Sequence, residues 1–239
     1  MALNPQAAPA MGAAAGTAPG WLLSFVAGYV DVVGFAALFG LFTAHVTANF
    51  IMIGIELAGA SEGLLTKILA LPTFVVAVAG TGLAESGLRR RGQPVIRVLF
   101  LVECALLMTF MVAGLAAMPM TDPSALMVVV TGLLGVAAMG IQNAMSRTAL
   151  SDVGPTTIMT GNTTQIVIDA VDLLGAAPEA RVAIRRRISK MGPAVIGFAV
   201  GAILGALAFA RFSFWSVMLP AAMLFVLAIQ LWLIRGSST

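Results

Sequence analysis

Charge is scarce in this chain: 239 residues hold 10 acids, 13 bases, one histidine, one cysteine and one tyrosine. Soluble domains carry roughly a quarter of their residues charged, and here the share is 10%. A water-soluble surface is thereby excluded. The lone Cys104 rules out a disulfide within the chain, and one histidine cannot build a multi-histidine metal centre. No His-Glu-x-x-His, Gly-x-Ser-x-Gly or Walker loop occurs, so no enzyme, resident cofactor or metal is expected. What fills the chain is apolar: 60% hydrophobic residues and 25 glycines mark an integral membrane protein whose first partner is the lipid bilayer. The net charge of +3 does not indicate nucleic acid, because the bases cluster between apolar stretches.

Residues 1–20 are Ala, Pro, Gly and uncharged polar residues without apolar period, and read as a disordered tail. Apolar segments follow at 21–42, 46–60, 64–84, 95–118, 124–146, 156–175, 188–210 and 212–234. A crossing helix needs roughly 20 residues, and 46–60 and 156–175 are too short or too polar, which predicts six crossings plus two partial segments. Arg89, Arg90, Arg91 and Arg97 form one basic cluster, and Arg181, Arg185, Arg186, Arg187 and Lys190 a second. The positive-inside rule puts both clusters in the cytoplasm, and six crossings then put both termini there too.

Self-comparison divides the chain at about residue 120. Thr47, Ala48 and Asn49 recur as Thr160, Gly161 and Asn162, a shift of 113, and at the same shift Glu56 falls on Asp169. Gly28 and Asp31 recur as Gly140 and Asn143 at a shift of 112. Lys67 with Pro72 and Lys190 with Pro193 open comparable later spans. Each repeat, 21–120 and 121–239, thus reads as one long span, one broken or half-helix segment and two further spans. Three crossings are an odd number, so the second copy is expected upside down. The predicted fold is all-α: six transmembrane helices as two inverted three-helix repeats, a recurring plan of secondary transporters.

The block from Gly28 to Asp31, Thr43 to Asn49, Gly140 to Asn143 and Met159 to Asn162 resembles the YoaK-like family of bacterial membrane proteins. The resemblance covers nearly the whole chain after residue 20. It implies a six-span protein of the bacterial inner membrane, from a family of unknown function.

Polar groups inside a bilayer are costly, roughly 2.5 to 3.5 kcal/mol for a central charge, so each should pair or line a cavity. Asp31 lies ten residues into the first segment; Arg147 lies one turn beyond its repeat mate Asn143, and an Asp31 to Arg147 pair would neutralise both. That pair either locks the halves together or belongs to a site; an unpaired Asp31 becomes a proton carrier. Gly40 to Ala44 and Val153 to Pro155 read as breaks. Half-helices opening near Thr47 and Thr160 would present N–H groups to an anion, with Asn49, Asn162, Thr163, Thr164 and Gln165 supplying further polar contacts. The alternative use of these residues is hydrogen bonding between helices. Glu56, Asp169 and Asp172 read as solvated or salt-bridged. Glu103 is a second intramembrane acid, needing His45 or a proton as partner, and His45 either titrates or packs. Gly197, Gly201 and Gly205 form a close-packing stripe.

Two functions stay open: a secondary carrier for a small polar or anionic solute with its site at the repeat interface, or a non-transporting membrane scaffold or assembly factor. A homo-oligomer or a larger membrane complex fits either. A polar cavity around Asn49 and Asn162 would favour the carrier, and a packed core there the scaffold.

Overall fold

A computed structural model of the chain describes residues 20–59 and 62–236, with side chains to residue 233. The expected tail, 1–20, lies outside the described residues except for Gly20. Among the described residues the structure is helical throughout, without strand. Helix α1 (Gly20–Ala37) stops where Phe39 and Gly40 take φ values of 53° and 80°. A 3-10 turn, Val46–Ala48, leads into the short α2 (Asn49–Leu57). Then come α3 (Leu64–Arg90), α4 (Val95–Ala117) and α5 (Leu126–Arg147). Gly154, at φ 90°, and Pro155 precede α6 (Met159–Gly175). Helix α7 (Pro178–Phe212) ends at Ser213, φ 51°, and the 3-10 turn Ser213–Val217 passes the chain to α8 (Met218–Gly236).

Among the described residues five helical stretches are long and apolar enough to cross a membrane: α1, α3, α4, α5 and the 56-residue stretch Pro178–Leu233, which the turn at Ser213 divides. The protein is therefore a multi-pass membrane protein, and its outer faces agree. Val76, Leu83, Leu174, Ile196 and Trp232 all expose 60% or more of their surface, as lipid-facing side chains do. At 1.5 Å per residue, α2 spans only about 14 Å of a roughly 30 Å hydrocarbon core.

One boundary departs from expectation. The basic residues 181–190, read from sequence as a connection before a span at 188–210, belong to α7, which begins at Pro178. Proline at the first position, Glu179 in the first turn and a run of Arg, Ala, Ile and Lys all favour helix, and charge does not interrupt it. Its 35 residues make about 52 Å, so the arginine-bearing end projects past a bilayer core.

The packing is crosswise. A Cβ added at Gly28 of α1 would lie 2.2 Å from the Phe198 carbonyl oxygen of α7, and the glycine stripe of α7 answers it. Gly197 and Gly201 sit 2.2 Å, by the same measure, from the carbonyls of Trp21 and Phe25. The stripe thus serves contact within the chain. In the second half Gly140 of α5 meets Ala77 and Phe74 of α3. Gly28 and Gly140, matched in the sequence self-comparison, thus both lie at close helix contacts, α1 on α7 and α5 on α3. Helix α4 packs on α5, α8 and the turn at Phe214, whose ring fills the space left by Gly114 and stands edge-on to Phe110.

Candidate functional site

Asp31 does not pair with Arg147. Its buried carboxylate accepts the backbone N–H groups of Thr43 at 2.8 Å and Ala44 at 2.7 Å, and its second oxygen lies 2.8 Å from His45 Nδ1. The loop after α1, which Gly40 turns back on the helix, supplies these donors (loop 1, residues 38–45). Arg147 is exposed and forms no ion pair among the described residues. Backbone amides aimed at a carboxylate stabilise its charge as well as a cation does, which leaves Arg147 no task there. His45 keeps a third of its side chain exposed and stands edge-on to Phe198, with ring centroids 5.0 Å apart.

At the end of α5 a neutral side chain binds the neighbouring loop. Asn143, in the place of Asp31, accepts the Thr157 hydroxyl at 2.5 Å in the loop before α6 (loop 2, residues 148–158). The same side chain donates from Nδ2 to Met139 O at 3.0 Å and, at 3.5 Å, to Ala44 O of loop 1. Asn143 is thus where the two loops meet. Beside it Gln142, which sequence reasoning quoted without assigning a role, donates to Leu23 O at 2.8 Å and to Thr156 Oγ1 at 3.1 Å. The signal that singles it out is a buried amide on a helix of small apolar residues.

Asn49 and Asn162 hold these loops. Asn49 accepts the Phe42 N–H at 2.9 Å and donates to the Phe42 carbonyl at 2.8 Å. At the common shift of 113, Asn162 donates to the Pro155 carbonyl at 2.9 Å, and proline offers no N–H for a second bond. Both asparagines are buried, so their amides are committed to the backbone, not free for a solute as the sequence suggested. Asn49→Ala is expected to cost about 1–3 kcal/mol and Asn162→Ala about 0.5–1.5 kcal/mol, because two bonds are lost against one. Denaturation of both variants in detergent checks the ordering, and an equal or larger loss at Asn162 would contradict it.

Glu56 and Asp169, matched in sequence, are matched in role. Each is a buried acid at the far end of a short helix, bound to a base on the following helix. Lys67 donates to Glu56, to Phe39 O at 2.6 Å and to Glu62 O at 2.9 Å, so all three of its hydrogens are used in full burial. Arg187 binds Asp169 at 2.6 Å and holds that carboxyl below the usual carboxylate range, with Gln165 adding a hydrogen bond at 3.0 Å. Of the two roles read from the sequence, solvated or salt-bridged, these two acids take the second: the bases reach them from the next helix.

The remaining sequence candidates divide. Thr47, in the 3-10 turn, and Thr160 and Thr163, on α6, are exposed. Thr160 and Thr163 share an open groove of about 560 Å³ along α6 with Thr164 and Val167. Glu103 is fully buried without a hydrogen-bond partner, so His45, engaged by Asp31, is not its counterpart. Among the described residues no cluster of three metal-ligating side chains occurs.

The family described as "Protein of unknown function (DUF1275)" matches residues 20–230. No curated protein and no solved structure matches the chain.

Proposed function

Because the chain belongs to the DUF1275 family, whose description assigns no chemistry, we propose a function from the site itself: a secondary carrier for a small polar or anionic solute, bound where loops 1 and 2 meet. The observation that carries this reading is the pair of matched breaks, each followed by a short helix, joined through Asn143. Broken helices meeting at a repeat interface are the usual setting of carrier sites. The crosswise glycine contacts of α1 on α7 and α5 on α3 support two inverted halves of three crossings each. Loop 1 then presents His45, a third of its side chain exposed, and loop 2 presents Thr157, bound to Asn143 of α5. The contact of Asp31 with His45 Nδ1 at 2.8 Å ties loop 1 to α1 beside that junction.

The saturation of Asn49 and Asp31 by their own loop favours a second reading, a membrane scaffold in which the polar groups only fix the fold. Reconstituted vesicles separate the two. For a carrier, the parent protein takes up a member of a metabolite panel and responds to an imposed pH gradient. Asp31→Asn keeps solute binding and loses gradient-driven accumulation. No uptake and no ligand-induced melting shift across the panel, with Asp31→Asn merely less stable, would overturn the carrier.

Orientation follows from the basic clusters: with six crossings, both clusters and both termini face the cytoplasm of a bacterial inner membrane. A cysteine introduced at Thr121 in a Cys104→Ser background is expected to react with an impermeant reagent in intact cells, and one at Gly92 only after lysis. Reaction at Gly92 in intact cells reverses the topology.

A further inference from the structure

Glu103 stands apart from the other buried acids. Asp31 has His45 and two backbone amides, Glu56 has Lys67, Asp169 has Arg187, and Glu85 accepts the Thr148 hydroxyl at 2.5 Å. Glu103, midway along α4 and with no exposed surface, has a partner for neither carboxyl oxygen. A carboxylate there would bear its whole desolvation penalty uncompensated.

What faces it follows from helix register. Helices α4 and α5 are consecutive and pack as an antiparallel pair, with the Phe110 ring 3.3 Å from a Cβ built on Gly135. Two turns from that contact on the same faces, in the same direction along the pair, lie Glu103 on α4 and Gln142 on α5. Gln142 is buried, and its Oε1 is a second acceptor without a donor, because its amide hydrogens go to Leu23 O and Thr156 Oγ1. Two acceptor groups at one level of the core lack a single hydrogen between them.

We propose that Glu103 and Gln142 form a buried proton-binding site: the Glu103 carboxylate takes one proton from water, and the resulting O–H donates to Gln142 Oε1. Among the described residues no charged group is free to satisfy the pair: on α1, Asp31 is engaged by His45 and Tyr29 donates to Ser216 O, and the Ser24 hydroxyl beside Leu23 could serve one acceptor but not supply a proton to the carboxylate. Helix α5 carries no charge before the exposed Arg147, and the turn Ser213–Val217 and the described side chains of α8 carry none. On α3, Lys67 is saturated by Glu56 and two carbonyls, and Glu85 is engaged by Thr148; on α4 itself, Cys104 Sγ donates to Ala221 O, and Arg97 lies near the helix start. A bound metal ion would need about six or more oxygens in the case of calcium, more than this pair offers. Through Gln142 the proton is tied to Thr156 of loop 2, which gives that loop a link to pH. The link to transport rests on the carrier reading; the site itself does not.

Infrared spectroscopy of the protein in lipid tests the site. The parent at neutral pH should show the carbonyl stretch of a protonated carboxylic acid, absent from Glu103→Gln, whose amide donates to Gln142 in place of the acid and keeps the parent melting temperature. In Gln142→Leu the band should persist and move to higher wavenumber as its acceptor is lost. An identical carboxylic-acid region in parent and Glu103→Gln overturns protonation, independently of whether Gln142→Leu folds. An unmoved band in folded Gln142→Leu overturns the pairing, and a melting temperature raised by Na+ in the parent but not in Glu103→Gln makes it a cation site instead. In vesicles Glu103→Gln should lose the response of flux to pH. Absence of flux in the parent ends the carrier reading and leaves the infrared result standing.

Discussion

Gly201→Leu is expected to yield no folded protein. The position lies in the middle of the α1 and α7 contact, where even a Cβ would sit 2.2 Å from the Phe25 carbonyl oxygen and 2.9 Å from its Cα. The obstacle is backbone on a helix fixed above and below by Gly197 and Gly205, so no side chain can turn aside to make room. Gly201→Ala already forces the helices apart and should cost about 1–3 kcal/mol, the range for overpacking in a rigid core. Gly80→Ala on α3, where a Cβ meets nothing within 4 Å, should leave stability equal or raise it by up to about 1 kcal/mol through helix propensity. Thermal unfolding and size-exclusion profiles of the three variants in one detergent measure this. A monodisperse Gly201→Leu with the parent melting temperature would refute the close approach.

Lys67→Met should destabilise the protein by about 3–5 kcal/mol, the cost of stranding a buried charge. Three bonds disappear together, to Glu56, Phe39 and Glu62, and they tie the end of α2 to the loop that turns at Gly40. Replacing both charges, as in Glu56→Leu with Lys67→Met, should recover most of the loss, since the stranded carboxylate goes with its partner. Arg187→Met in the second half should cost clearly less, because half of the Arg187 side chain is exposed and solvent already screens its charge. A double variant no more stable than Lys67→Met alone would mean that the carbonyl contacts, not the ion pair, carry the effect.

Glycine and proline in the sequence marked both breaks, and self-comparison matched Asn49 with Asn162 and Glu56 with Asp169, residues whose contacts are alike. Local chemistry had a letter at each of those places: glycine at the turn, proline before the helix, an acid two turns on. Partners were legible only where a side chain supplies them. Asp31 was sought a charged neighbour and found backbone amides, which leave no trace in the sequence because every residue but proline has one. Lys67 lies eleven positions from Glu56, beyond the helical spacing by which pairs are recognised, and it reaches back because Gly59 and Gly63, both at positive φ, bring α3 alongside α2. The basic end of α7 misled for the opposite reason: its charges report topology, and they say nothing against helix.

Pro155 makes the two halves springs of unequal stiffness. Its counterpart Phe42 is gripped by Asn49 through both N–H and carbonyl, whereas Asn162 can hold Pro155 by the carbonyl alone. One hydrogen bond is worth roughly 1 kcal/mol, which corresponds to about a fivefold difference in how often each loop lets go. The carrier proposed above would therefore not open evenly at the two loops. It would yield first at loop 2, and amide exchange in that loop would run ahead of its twin.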